Sequence, residues 1–315
     1  MNIVLLDSGT LPTPLAVPAW ASEWSVRPAT RAADVIHALE NAAIAITNKV
    51  PIRAADLDRL PKLRFICIAA TGFDCIDIEA CREFGVVVSN VPGYSAQSVS
   101  EWALASIFAL RRNLFAYREA ARIAWPGSPN FCVHDAPILD IAGSTLGIVG
   151  RGAIGSALAR LARAVGMNVM FAEHRGRQTV REGFTPFDDV VRSADVLSLH
   201  CPLTDATRNL IDTSTLRAMK RGALLVNSAR GGLVDSMALV EALSAGHLGG
   251  AALDVLPQEP PDPHEPLLAC AHSNLIVTPH ISWAATNAAN RLNAGIEANL
   301  AAFHAGAPIN VVNGA

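Results

Sequence analysis

Residues 145–166 read Thr-Leu-Gly-Ile-Val-Gly-Arg-Gly-Ala-Ile-Gly-Ser-Ala-Leu-Ala-Arg-Leu-Ala-Arg-Ala-Val-Gly. A short apolar strand, Leu146–Val149, enters a glycine-rich turn, and the turn opens directly into a helix. Ile154, Leu158, Leu161 and Val165 recur at spacings of four, three and four, which predicts one buried helix face. Gly166 stands where a helix C-cap belongs. Within Gly150-Arg151-Gly152-Ala153-Ile154-Gly155 each glycine has a separate task. Gly150 permits the tight turn, Gly152 lets a pyrophosphate approach the backbone, and Gly155 lets helix and strand pack closely. The first turn of the helix offers unpaired N–H groups and a positive dipole end. A second strand, Asn168–Ala172, runs into Glu173, near the offset expected of a ribose-binding acid. Strand, turn, helix and second strand together predict a dinucleotide site.

Outward from this stretch the alternation continues. Strands are predicted at Asp195–His200, Ala223–Asn227, Ala251–Val255 and Leu275–Thr278, which with the first two make six, the count of a full doubly wound sheet. The N-terminal part alternates likewise, with strands at Ile3–Leu6, Ala43–Thr47, Arg64–Ala69 and Val86–Ser89. Helices fit between them around Arg31–Leu39, Ala55–Leu60 and Ile76–Phe84. A long helix is predicted over Ser95–Arg112 and an extended connection over Trp125–Asp140. A last helix after Pro279 carries Leu292, Ile296, Leu300 and Phe303 on one face and would return the chain to the first domain. The expected organisation is α/β, with two doubly wound parallel-sheet domains. A dinucleotide-binding domain (99–286) is inserted in a discontinuous substrate domain (1–98 and 287–315), and a cleft between them would hold the substrate.

Composition narrows the function class. Half of the 315 residues are hydrophobic (51%), 17% are charged, and the net charge is −3. No basic cluster suggests nucleic acid. No apolar run is long enough for a membrane span, and Met1 leads into a strand without a signal-peptide pattern. The six cysteines form no Cys-x-x-Cys pair, so reduced thiols in a cytoplasmic protein are expected and a metal site is not.

In open parallel sheets ligands bind beyond the carboxyl ends of the strands. In the second domain those ends carry the glycine turn, Glu173, then His200-Cys201-Pro202. Next come Asn227-Ser228-Ala229-Arg230-Gly231-Gly232, Asp254 with Glu259-Pro260 after it, and Pro279-His280-Ile281-Ser282-Trp283. An arginine, a carboxylate and a histidine converge on one edge. Glu265 and Asp262 compete with Glu259 as partner of the histidine, and His200 is either structural or part of an adenine site. Cys201 has no base beside it in sequence and is not read as a nucleophile.

These residues carry a resemblance. Gly150–Gly155, Asn227–Gly231, Asp254-Val255-Leu256-Pro257-Gln258-Glu259-Pro260 and Thr278-Pro279-His280 are similar to the motifs of the D-isomer-specific 2-hydroxyacid dehydrogenases. Ala70-Thr71-Gly72 and Asn90-Val91-Pro92-Gly93-Tyr94 also match. Trp283 and Asn48-Lys49 resemble the glycerate dehydrogenase/hydroxypyruvate reductase branch. The resemblance implies a Rossmann cofactor domain, a flavodoxin-like substrate domain, and interconversion of a small 2-keto acid and its D-2-hydroxy acid. His280 would be the acid–base group. Glu259 would stabilise its protonated form and orient it. Arg230 would grip the substrate carboxylate and polarise the carbonyl.

The implied dinucleotide set is Gly150, Arg151, Gly152, Ile154, Gly155, Glu173, His200, Cys201, Pro202, Ala229, Asp254 and Trp283, with Asp254 orienting the carboxamide. The implied substrate set is Asn48, Ala70, Thr71, Gly72, Arg230 and His280. The cofactor is expected to be NAD, with Glu173 repelling a 2′-phosphate. NADP stays open, because His174, Arg175 and Arg177 follow that acid directly. A homodimer is expected, with the helix from Ser95 as interface. The rival class is a non-catalytic dinucleotide sensor of the same fold; the intact Arg230, Glu259 and His280 favour the enzyme.

Overall fold

Runs of four or five Ile, Val, Leu and Ala residues, buried on both faces, form parallel strands when helices can cover them. The computed structural model describes residues 1–314. Its first series is β1 (Asn2–Leu5), β2 (Glu23–Val26), α1 (Val35–Leu39), β3 (Ile44–Thr47), α2 (Ala54–Leu57), β4 (Phe65–Ile68), α3 (Ile78–Glu83) and β5 (Val87–Ser89). Two helices follow, α4 (Ala96–Arg111) and α5 (Leu114–Ile123). The second series is β6 (Thr145–Val149), α6 (Ala153–Ala164), β7 (Asn168–Ala172), α7 (Phe187–Ser193), β8 (Val196–Leu199), α8 (Thr213–Ala218) and β9 (Leu224–Asn227). It ends with α9 (Ser236–Ser244), β10 (Gly250–Leu253), α10 (Pro266–Ala269), β11 (Leu275–Val277) and the long α11 (Thr286–His304).

The chain divides into two units. One joins Met1–Ser95 to the segment from Ala284 onward, and the other is Ala96–Trp283. The cuts fall a few residues before the 98/99 and 286/287 boundaries read from the sequence.

The first unit holds a five-stranded parallel sheet in the order β2-β1-β3-β4-β5, the flavodoxin-like arrangement. Strand β2 was not legible in the sequence. Glu-Trp-Ser-Val has no apolar run because it pairs on one side only and is largely exposed. Val35, Leu39, Ile52, Ile66, Ile68 and Val88 form the core on one face. On α11, Leu292, Ile296 and Leu300 are buried and Phe303 stacks on Phe65 with ring centroids 4.3 Å apart.

The second unit is a six-stranded parallel sheet in the order β11-β10-β9-β8-β6-β7. The count of six matches the expectation, but the strand that would follow β7 on the outer edge is reduced to one bridge, Ala172 with Thr185. The stripe that α6 buries is Gly155, Leu158, Ala159 and Ala162, turned by about one residue from the predicted one. Ile154, Leu161 and Val165 are only half-buried. Leu158, Ala159 and Ala162 share a core with Ala103, Ile107 and Leu110 of α4, where small residues permit close approach. The first turn of this packing explains Gly155: a Cβ there would lie 2.1 Å from the Gly150 carbonyl oxygen.

Candidate active site

The residues singled out at the end of the second sheet come from neighbouring strands. Asn227, Leu253 and Val277 stand in register across β9, β10 and β11, so the loops carrying Arg230, Glu259 and His280 leave the sheet side by side.

His280 and Glu259 meet. The imidazole Nδ1 and the carboxylate Oε2 lie 2.6 Å apart. An ionised carboxylate only accepts, so Nδ1 carries the hydrogen and Nε2 is the ring nitrogen outside this contact. The other oxygen, Oε1, accepts from the Leu256 N–H at 3.0 Å, which fixes the carboxylate plane. The rival partners have local tasks instead: Glu265 accepts from Leu267 N at the start of α10, and Asp262 accepts from His264 N.

Asp254 is fully buried, and its carboxylate binds the loop that carries the histidine. It accepts from Thr278 Oγ1 at 2.5 Å, Ile281 N at 2.9 Å and Ser282 N at 2.8 Å, while its own carbonyl accepts from His280 N at 2.8 Å. These bonds engage both carboxylate oxygens and organise the loop that carries the histidine. Trp283 belongs to the same loop, its indole N–H donating to the His280 carbonyl at 2.9 Å.

Arg230 is half-buried, and one guanidinium nitrogen donates to the Ala229 carbonyl at 2.8 Å. Its backbone is held by Asn227, a buried residue at the end of β9 that the sequence motif contains but that was not expected in the site. The Asn227 amide donates to the Arg230 carbonyl at 2.9 Å and accepts from Ala229 N at 3.0 Å. Gly231 follows because nothing larger fits: a Cβ would lie 1.9 Å from the Leu256 carbonyl carbon. The arginine loop thus packs directly on the chain that leads to Glu259.

The glycine turn fits a dinucleotide. Gly150 has φ +104°, and a Cβ there would lie 2.6 Å from the His200 carbonyl oxygen. At Gly152, by contrast, a Cβ would meet nothing within 4 Å, so open space lies over the backbone at the start of α6. No side chain among the described residues caps that helix from its N-cap position, which leaves its first N–H groups for phosphate oxygens. His200 donates or accepts through Nε2 with Ser198 Oγ at 2.8 Å, and its buried Nδ1 has no partner among the described residues. Burial pushes this imidazole down to about 4, so it is neutral, and pushes the neighbouring Cys201 thiol up to about 11, which makes it inert. Arg151 leans away from the turn over the Phe171 ring, 4.9 Å from its centroid.

Glu173 is engaged by groups of the loop that follows it. It is buried, and its oxygens accept from His174 N and from the backbone and side chain of Arg181 at 2.7–3.1 Å. The Arg181 guanidinium holds this carboxyl far below the ordinary carboxylate range. Nothing in the sequence spacing marks Arg181 as its partner, since a loop of irregular structure separates them.

In the other unit, Asn48 is buried at the end of β3. Its N–H donates to both Asp7 carboxylate oxygens and its amide to Thr10 Oγ1 at 3.1 Å. Ala70, Thr71 and Gly72 follow the neighbouring β4, where Thr71 donates its hydroxyl to the Val91 carbonyl at 2.9 Å and its carbonyl accepts from the Asn90 amide. Asp7 and Asn90, which shape these loops, were not in the expected set. Among the described residues there is no group of three or more potential metal ligands.

The NAD binding domain of the D-isomer specific 2-hydroxyacid dehydrogenases matches residues 104–282. A glycerate dehydrogenase of Methylorubrum extorquens is 43% identical over 280 residues, covering 89% of this chain and 88% of that protein. A hydroxypyruvate reductase of Blautia hydrogenotrophica is 33% identical over 284 residues, with the same coverage of 89% and 88%. A crystal structure of a Thermus thermophilus protein superposes with a TM-score of 0.85 at 36% identity, over 99% of this chain and 100% of that one. With the histidine–glutamate pair, the arginine loop and the glycine turn at the carboxyl ends of one sheet, the chain belongs to the D-isomer specific 2-hydroxyacid dehydrogenases and is an NAD-dependent 2-hydroxyacid oxidoreductase.

Proposed function

We propose that the protein reduces hydroxypyruvate or glyoxylate, giving D-glycerate or glycolate. The observation that carries this reading is the 2.6 Å contact between His280 and Glu259 beside the Arg230 loop. When bound, the reduced nicotinamide supplies a hydride to the keto carbon. As negative charge grows on the carbonyl oxygen, His280 donates a proton to it from Nε2. Glu259 accepts from Nδ1 and holds the ring in place. Arg230 offers a planar fork to the carboxylate. Ala70, Thr71 and Gly72 are assigned to substrate binding because they follow a strand at the carboxyl edge of their own sheet. The choice of acid is supported by the glycerate dehydrogenase and hydroxypyruvate reductase names of the relatives. The test is loss of nicotinamide absorbance with hydroxypyruvate, glyoxylate, pyruvate and phenylpyruvate. The first two should give the highest kcat/KM; preference for phenylpyruvate would overturn the assignment.

The same reading includes a homodimer formed through α5 and the segment after it. No residue of α5 is buried, and Phe115, Ile123, Trp125 and Phe131 are exposed, Phe131 by 90%. The segment is stapled back onto the helix by Tyr117, whose hydroxyl donates to the Ala136 carbonyl at 2.6 Å. An ordered apolar patch of this kind suits a second copy. This patch, more than α4, supports the dimer reading, since α4 spends its apolar face on α6. Six cysteines without a disulfide among the described residues suit a reducing cytoplasm. No helix among them is long and apolar enough to cross a membrane.

A further inference from the structure

We infer that Asn299 of α11 is a positioning residue for the keto acid: acting through Asn90, it fixes the loop Ala70-Thr71-Gly72. The inference rests on the assignment of that loop to the substrate, and not on which keto acid is reduced.

Leu292, Ile296 and Leu300 give α11 its buried apolar side, and Asn299 is as fully buried as they are. A buried amide opposes folding unless its N–H groups and its carbonyl all find partners. Here they do. Asn299 Nδ2 donates to the Asn90 carbonyl at 2.8 Å and to the Cys67 sulfur at 3.8 Å, and Oδ1 accepts from Asn310 Nδ2 at 2.9 Å. Partners on both ends of the amide settle its orientation. Asn90, 209 residues away in sequence, is thereby held at both backbone groups, since its N–H donates to the Asn310 carbonyl at 3.2 Å.

The Asn90 side chain serves the neighbouring loop. Its Nδ2 donates to the Thr71 carbonyl at 2.6 Å, and Val91 N donates to the Ala70 carbonyl at 3.0 Å. The Thr71 hydroxyl closes the same junction on the Val91 carbonyl at 2.9 Å. Each carbonyl shares a planar trans peptide with the N–H of the next residue, which points the opposite way. Pinning the Ala70 and Thr71 carbonyls to Asn90 and Val91 therefore aims the Thr71 and Gly72 N–H groups away from that junction. Neither N–H has an acceptor among the described residues. Two successive backbone donors aimed from one loop suit a carboxylate.

The test is steady-state kinetics with NADH and whichever of hydroxypyruvate, glyoxylate, pyruvate and phenylpyruvate gives the highest kcat/KM, beside NADH titration and urea unfolding. Asn299→Leu keeps the volume and deletes all three bonds. KM for the keto acid should rise about tenfold or more, with kcat within about threefold and the Kd of NADH within about twofold, because contacts to an unreacting carboxylate are alike in ground and transition states. Asn90→Leu should raise KM at least as much. The double variant should be no worse than Asn90→Leu alone, because one residue acts through the other. An unchanged KM in Asn299→Leu overturns the inference, even with stability lowered, and so does a double variant in which the two effects multiply. If Asn299→Leu does not fold, Asn310→Gly decides: it keeps the left-handed backbone (φ +53°) and deletes only the amide that orients Asn299. It should raise KM about twofold or more, and an unchanged KM overturns the inference. Gly72→Pro deletes an N–H of the loop itself and separates the two readings. If KM rises there but not in Asn299→Leu, the loop binds substrate and Asn299 does not position it. If KM is unchanged in both, the loop assignment fails and the inference falls with it.

Discussion

His280 has a backbone φ of +52°, a left-handed conformation that a side chain of this kind enters only when its surroundings hold it there. The holders are the Asp254 carbonyl on its N–H and the Trp283 indole on its carbonyl. The ring is thus aimed by backbone contacts before Glu259 touches it. His280→Ala should lower kcat by at least about 10²–10⁴-fold while leaving NADH affinity within about twofold, read by stopped-flow turnover and cofactor titration. Near-native turnover would remove His280 from the proton path. Glu259→Gln keeps the shape but removes the carboxylate that accepts from Nδ1. The ring loses its fixed orientation, so kcat should fall about tenfold or more with NADH affinity unchanged; a wild-type kcat rejects the pairing.

His200 makes a separate prediction about stability. Its imidazole is held at about 4 by burial, against about 6.5 in an unfolded chain. Between those values the unfolded state binds the extra proton and the folded state does not, so stability falls as pH drops from 6.5 to 4. His200→Asn should flatten that part of a stability-against-pH curve obtained by urea unfolding, by up to about 3 kcal/mol at the acid end. At this scale the sequence revealed which residues converge, through their strand-end positions. It did not reveal that Asp254 and Glu173 face inward, because that depends on partners brought together only by loops.

The strands of both sheets were readable as apolar runs because they are buried on both faces, and the helices between them followed from length alone. The exceptions share a cause. Strand β2 and helix α5 bury little: Glu23–Val26 shows no apolar run, and the apolar side chains of Leu114–Ile123 join no core among the described residues. The small residues of α6 hid its true buried stripe for the opposite reason, since a close helix contact is made by Gly and Ala and not by large apolar side chains. Close approach also governs the junction of the β9 and β10 loops. Gly231→Ala places a methyl group 1.9 Å from the Leu256 carbonyl carbon, with backbone on the far side that cannot rotate away. The two loops should separate, displacing Arg230 from Glu259. Overpacking of this kind costs about 1–3 kcal/mol, and an ångström of misplacement about 10² in rate. A lowered Tm with a larger loss in kcat/KM is expected; a variant with normal kcat/KM would show that the loops move independently of the chemistry.

At the scale of the whole chain, the interruption of one unit by the other was legible in the return of a helical pattern after Pro279. Each unit also has its own core. The contact that matters most for this arrangement is modest. The Ser98 hydroxyl donates to the Ser282 carbonyl at 2.5 Å, so the two ends of the 96–283 segment leave its surface at the same spot. A segment with adjoining ends is a closed cassette. It can be cut out, expressed alone and expected to fold and bind NADH with the affinity of the full chain, as measured by titration. A fragment that stays unfolded would show that the surrounding unit is needed for folding. For evolution the same adjacency means that such a cassette can be moved into a new host loop without asking that host to span any distance.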